Sequence, residues 1–252
     1  STLLADAYGE CAKEGLMMED MRMAIVSLIY KEKGMRHHLK NYRPIAVASV
    51  VYRILAKAVV IALRPLLPQI ISADQSAFQE EKLISTNTRL VQDIIKYCNE
   101  EGADREGLLL FCDQDNAYPR VEWDFMFAIL EKMNMPSSFV DLVRTMYRDV
   151  HLQFKVNGVT SRDVSTPTNG VAQGCPLSPL LYLIYLQTFL SLLKVDTQRD
   201  GGLRGVRAPG ASDGDGPAPM IDTSAFADDL CIGLADGGQL ERFRGRLAVY
   251  EV

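Results

Sequence analysis

Apolar residues along the chain follow two periods, and their alternation predicts a mixed α and β protein. Residues 23–30, Met-Ala-Ile-Val-Ser-Leu-Ile-Tyr, are rich in strand-forming types and predict a β-strand. A helix is predicted over 49–63, stopping ahead of Pro65 because a residue before proline is pushed out of the helical region. Between 86 and 101, Leu90, Val91, Ile94, Ile95 and Cys98 fall on one helical face, and Gly102 ends the run. The run Leu108-Leu109-Leu110-Phe111-Cys112 predicts a short strand that ends at Asp113. Helices are predicted again near 123–133 and from Pro136 and Ser137 to about 149. Segments 152–156 and 159–164 flank Asn157-Gly158, the dipeptide preferred in primed two-residue turns, and predict a hairpin.

Residues 177–193 are apolar with little interruption and predict a buried helix, entered through a Gly-Pro loop with proline near its first turn. Residues 1–14 carry only a weak helical pattern. The segment 195–219 differs in kind, being rich in Gly, Asp, Arg and Pro with almost no apolar residues. Such a composition does not bury enough surface to offset its ordering entropy, so a flexible insertion is expected. Its glycines neither follow a predicted strand nor open a helix, which argues against a phosphate cradle.

With 252 residues, 48% of them hydrophobic, the chain can bury one sizeable core or two smaller lobes. No unbroken apolar run reaches the length of a membrane span and no signal peptide opens the chain, so a soluble, intracellular protein is expected. Five cysteines, an odd number without paired metal spacing, read as reduced thiols, and His37, His38 and His151 form no zinc pattern. A net charge of −5 argues at first against a nucleic-acid partner. Its distribution argues the other way. Residues 31–64 hold eight lysines and arginines against the single Glu32, a net +7, and such a local stripe is the electrostatic footprint of phosphate binding.

Candidate chemistry lies in the acidic residues. Asp228 and Asp229 stand in Phe226-Ala227-Asp228-Asp229-Leu230-Cys231-Ile232 between apolar neighbours, and Asp113 ends its own apolar strand. Two short strands that bring carboxylates to one place are suited to divalent cations with oxygen ligands, which act in phosphoryl transfer. Gln173 and Gly174, at the entrance of the apolar helix, offer an amide side chain and a bare backbone for the close approach of a nucleotide.

These residues, with two upstream segments, stand in a telling order: Asn41-Tyr42-Arg43-Pro44-Ile45, Gln75-Ser76-Ala77-Phe78, Asp113, Gln173-Gly174 and Phe226-Ala227-Asp228-Asp229. The order resembles the reverse transcriptases, in particular the non-LTR (LINE-type) retrotransposon branch, with the last three matching motifs A, B and C. The likeness runs from about Tyr30 to Leu234. It implies an α+β right-hand polymerase fold of fingers plus palm, the antiparallel palm sheet flanked by helices. Residues 1–104 would be mainly fingers and 105–252 mainly palm, with 121–167 free to pack with the fingers; no recognisable thumb precedes Val252.

The resemblance also implies roles. Asp113, Asp228 and Asp229 would be catalytic and, with the carbonyl of Gln114, would hold two Mg²⁺ ions, Mn²⁺ being the substitute. Lys31 or Lys33, with Arg43, would grip the triphosphate. Tyr118 would lie under the deoxyribose, Gln173 and Gly174 would position the incoming nucleotide, and Ala227 would sit against the primer terminus. Gln75 and Phe78 would line the template. Tyr118 and Ala227 also separate the chain from RNA-dependent RNA polymerases, which favour a polar residue and a glycine at these steps. The implied partners are an RNA template, a DNA primer and deoxynucleoside triphosphates, with no membrane and no protein partner assigned; the implied location is the nucleus or a cytoplasmic ribonucleoprotein. Pro119, Asn116 and Ala172 depart from the family's usual Asp, Lys and Arg. A degenerate, inactive copy and a group II intron-like enzyme therefore stand as alternatives.

Overall fold

The computed structural model describes residues 2–79, 82–99, 107–197, 202–207, 220–221 and 223–250. In chain order the first elements are α1 (Thr2–Glu14), α2 (Glu19–Arg22), β1 (Met23–Tyr30), β2 (Tyr42–Ala48), α3 (Val50–Leu63), α4 (Leu67–Ile70) and α5 (Ile84–Cys98). Then follow β3 (Leu108–Asp113), α6 (Trp123–Lys132), α7 (Ser137–Tyr147), β4 (His151–Val156), β5 (Val159–Thr160) and α8 (Ser178–Thr197). The last are β6 (Val206–Arg207), β7 (Met220–Ile221), β8 (Thr223–Phe226), β9 (Asp229–Leu234) and α9 (Gln239–Tyr250).

The chain folds as two compact units, one made of Ser1–Pro65 and Asn116–Tyr182, the other of Leu66–Asp115 and Leu183–Val252. Each unit joins two separate stretches of sequence. Strand pairing is the reason. β4 pairs in parallel with β1, which draws 116–182 to the N-terminal segment, while α5 packs on β8, which draws 66–115 to the C-terminal strands.

In the first unit the sheet order is β2-β1-β4-β5. Antiparallel pairing sets Val26 opposite Ala46 and Ile29 opposite Arg43, so Ala24, Val26 and Ala46 pack inward as a small core. Ser49 caps α3 by accepting the Tyr52 amide at 3.2 Å. Beyond the cap, Leu55, Ala56, Val59, Val60 and Leu63 recur at helical spacing and are all buried. Trp123 donates its indole N–H to the Gly170 carbonyl at 2.8 Å and meets Tyr147 edge-on at 5.4 Å. The expected hairpin forms, but β5 keeps only two residues. The Ser161 hydroxyl donates to the Asp163 carbonyl and bends the chain away; pairing resumes as an isolated bridge between Leu152 and Ser165.

In the second unit β9 lies between β3 and β8, antiparallel to both. α8 is long and apolar enough to cross a membrane by length and composition, with mean hydropathy 1.3. Its Leu183, Ile184, Leu190 and Leu193 are instead buried inside the protein, and Phe189 meets Phe243 of α9 at 6.5 Å. Gln187, a buried polar residue in this helix, accepts from the Ser72 amide at 2.9 Å and donates to Ser191 at 3.1 Å. Its burial therefore leaves no orphaned amide.

The flexible insertion expected over 195–219 is corrected at its start and over 202–207. Val195–Thr197 belong to α8, and within 202–207 Leu203 and Val206 are buried. β6 pairs with β7. Asp196, only 2% exposed, accepts the Leu203 amide at 3.1 Å and the Arg246 guanidinium at 2.5 Å. Two apolar side chains and one doubly satisfied carboxylate suffice to order a segment whose average composition suggests none. Residues 198–201 and 208–219 lie outside the described ones.

Replacing Ser49 with alanine removes the only side-chain cap of α3 and is expected to cost about 1 kcal/mol of stability. Urea denaturation measures this; a change within about 0.3 kcal/mol would show the cap to be idle.

Candidate active site

The acidic residues meet through backbone register. β3 and β9 pair from Leu108↔Leu234 to Asp113↔Asp229, so Asp113 and Asp229 sit directly opposite one another at the end of the sheet. Directly paired residues share a face, with Cβ atoms about 5 Å apart. β8 and β9 pair up to Phe226↔Asp229, which leaves Ala227 and Asp228 as a two-residue turn. One strand and one hairpin thus deliver all three carboxylates to one corner of the second unit.

Like charges placed opposite each other are unfavourable. The strain shows in Asp229, whose carboxyl is pushed above the usual range by burial first, then by the charges of Asp228 and Asp113. Asp229 is nonetheless an exposed residue, and an apolar cavity of about 350 Å³ adjoins the pair, lined by Val91, Phe111, Phe226 and Cys231 among others. Burial also raises the Cys112 thiol, and burial together with Cys112 raises that of Cys231 to about 11. Both thiols therefore stay protonated near neutral pH, and the site offers oxygen donors alone, as a hard divalent cation requires. Two facing carboxylates and a third on the adjoining turn fit such an ion in donor type and charge. Among the described residues, however, no three His, Cys, Asp or Glu side chains form a ready-made cage.

The turn is held from outside. Ala227 has φ 55, a left-handed conformation that L residues other than Asn and Asp seldom adopt. Gln75 reaches it, donating Nε2–H to the Ala227 carbonyl at 3.2 Å and accepting the Ala227 amide on Oε1 at 3.0 Å. The template-facing position expected for Gln75 is thus overturned. Its side chain is 1% exposed and spent on the turn. Phe78, three residues on, is half exposed with φ 55, so this short segment turns one expected template residue inward and the other outward. Asn87 of α5 joins the same network, donating to Ser224 Oγ at 2.9 Å and the Ala225 carbonyl at 3.1 Å. Sequence reasoning missed it, although a polar residue in line with Leu90, Val91 and Ile94 on an apolar helical face was a signal.

The residues expected on the nucleotide side fall in the first unit, Ala227 apart. Gly174 has φ +111, and a Cβ added there would lie 2.7 Å from the Ala46 carbonyl, so only glycine fits. The Ala46 amide donates to the Gln173 carbonyl at 2.7 Å, which pins this loop to β2, the strand that carries Arg43. Arg43 and Lys33 are exposed and Lys31 is half-buried, its amide donating to the Asn41 carbonyl at 2.8 Å. Tyr118 stacks at a tilt on Tyr182, ring centroids 5.2 Å apart. Around Pro119 the chain is pinned through acceptors: the Val171 amide donates to the Tyr118 carbonyl and the Gly170 amide to that of Val121. The unusual Asn116 has φ 54, a conformation asparagine tolerates better than lysine. Asp113 is exposed and Gln114, the expected carbonyl ligand, half-buried, both in the second unit.

Comparison with known proteins gives the family and the fold. The family described as reverse transcriptase (RNA-dependent DNA polymerase) matches residues 29–247. An uncharacterised 149 kDa protein of transposon TX1 from Xenopus laevis is 31% identical over 241 residues, covering 96% of this chain and 17% of the relative. The Pol polyprotein of a type-1 retrotransposable element R2 from Nasonia vitripennis is 28% identical, covering 89% of this chain and 19% of the relative. The chain thus spans less than a fifth of these relatives' length. Among solved structures, apo telomerase from Candida tropicalis, truncated from the C-terminal domain, covers 98% of this chain and 51% of its own, with TM-score 0.61 at 10% identity. That likeness bears out the fold, a right-hand polymerase architecture of the α+β class.

The raised carboxyl of Asp229 has a consequence for stability. A folded-state pKa above the unfolded one costs stability once pH exceeds the folded value, and the cost disappears as pH falls below the ordinary carboxylate range. Asp229→Asn, in chelator at neutral pH, is expected to melt at the same temperature as the parent or higher, the gain shrinking towards acid. A fall of several degrees at neutral pH would make Asp229 a structural residue.

Proposed function

The chain belongs to the reverse transcriptase (RNA-dependent DNA polymerase) family, and on that premise we propose that it carries the nucleotidyl-transfer centre of a non-LTR retroelement enzyme that copies RNA into DNA. The observation that carries the reading is the register Asp113↔Asp229 with Asp228 on the adjoining turn. Relatives from retrotransposons favour this setting over a group II intron-like one. The three-stranded sheet of the second unit serves as the palm, and the four-stranded sheet of the first serves as the fingers.

Reverse transcriptase domains generally use a divalent metal. Asp113, Asp228 and Asp229, with the carbonyl of Gln114, would hold two Mg²⁺ ions, which when bound acidify the primer 3′-hydroxyl and neutralise charge on the leaving pyrophosphate. The other roles belong to the chain itself. Arg43, whose planar fork meets two phosphate oxygens at once, binds the triphosphate together with Lys31 or Lys33. Tyr118, braced by Tyr182, lies under the deoxyribose, and its ring blocks the space that a ribose 2′-hydroxyl would need. Gln173 and Gly174 orient the incoming nucleotide, Ala227 meets the primer terminus, and Phe78 stacks on the template. The RNA template, DNA primer and deoxynucleoside triphosphates are the substrates this reading requires.

Primer extension on an RNA template with Mg²⁺ tests it directly. The chain is expected to extend the primer and Asp228→Asn to fall to background; equal extension by both would end the reading. Tyr118→Val is expected to admit ribonucleotides about 10–100-fold more readily, and unchanged sugar discrimination would remove Tyr118 from the gate.

A further inference from the structure

Between β8 and β9 the chain must reverse over two residues, and the first of them, Ala227, does so at φ 55. Glycine, asparagine or aspartate is the usual choice at such a place; alanine has neither glycine's freedom nor a side chain to bond its own backbone. Something else must hold it. Segment 74–76 runs alongside β8: the Ala225 amide donates to the Asp74 carbonyl at 2.8 Å and the Ser76 amide to the Ala225 carbonyl at 3.0 Å. This parallel bridge, Gln75↔Ala225, ends with β8. The Gln75 side chain then carries the pairing past the strand's end, its amide bonding both the N–H and the C=O of Ala227 as a neighbouring strand would.

We infer that Gln75 is a positioning residue for catalysis: its buried amide fixes Ala227 in the left-handed state from which the chain delivers Asp228 to the acidic corner. The inference rests on the polymerase reading. Gln75 is itself immobilised. Its Oε1 also accepts the Ala77 amide at 2.9 Å, and Ser76 Oγ donates to Asn87 Oδ1 at 2.5 Å, tying the segment to α5. At 1% exposure no water competes for the amide. Without it, Ala227 relaxes towards negative φ and the following peptide, which carries Asp228, swings with it. A displacement of about 1 Å at a reacting centre is enough to cost about a hundredfold in rate.

The test uses the full chain in four forms: wild type, Gln75→Met, Ala227→Gly and the double variant. Methionine keeps the length and bulk of glutamine without any of its three hydrogen bonds. Gln75→Met is expected to speed hydrogen exchange at the Ala227 amide by about tenfold or more. It is expected to weaken Mn²⁺ binding, read by isothermal titration, by about three- to tenfold. In primer extension its kcat should fall about 10–100-fold with the KM for deoxynucleotide within about twofold. Glycine holds positive φ without help, so Ala227→Gly placed in the Gln75→Met background should recover about fivefold or more of the lost kcat. A merely structural glutamine would give no such recovery. Unchanged amide exchange, unchanged Mn²⁺ affinity in a folded variant, or a kcat loss that glycine does not relieve would each overturn the inference. If the wild type itself extends no primer, the polymerase reading falls, while amide exchange and Mn²⁺ affinity still decide the role of Gln75.

Discussion

The structure depends on an electrostatic conflict imposed by hydrogen bonding. Six residue pairs lock β3 to β9, and the sixth sets Asp113 against Asp229. Shifting the register by one residue would turn every side chain of the strand to the other face and relieve the repulsion, yet it would also expose Leu230, Ile232 and Leu234, all buried. Apolar burial along the strand therefore outweighs repulsion at its tip. The sheet thus holds two facing carboxylates at its end, with a third on the adjoining turn.

The elements that carry the motifs were legible because short-range physics decides them. A strand at 23–30 was expected and β1 occupies those residues. The Ser49 cap and Pro65 bracket α3, and Asn157-Gly158 turns the hairpin. The acidic residues stood out for another reason: singly each is an ordinary cap or turn residue, and only their order with the other motifs marked them. The five motifs, in order, named the family that comparison confirms.

What stayed hidden was long-range. Nothing local shows that β4 pairs in parallel with β1, a pairing that helps to draw 116–182 to the N-terminal unit. Gln75 was assigned to the template by resemblance alone, because its bonding partner in the fold lies 152 positions away. The segment around Leu203 and Val206 read as unstructured because its composition was averaged, whereas two side chains and Asp196 decide it. In each instance the deciding partner lies outside the window that a sequence pattern surveys.

Gly174 has one more implication. Its missing Cβ is what lets the loop before α8 lie against the Ala46 carbonyl. Any side chain installed there must push the loop off β2 or bend β2 itself, so the entrance to α8 and the strand that carries Arg43 would be displaced together.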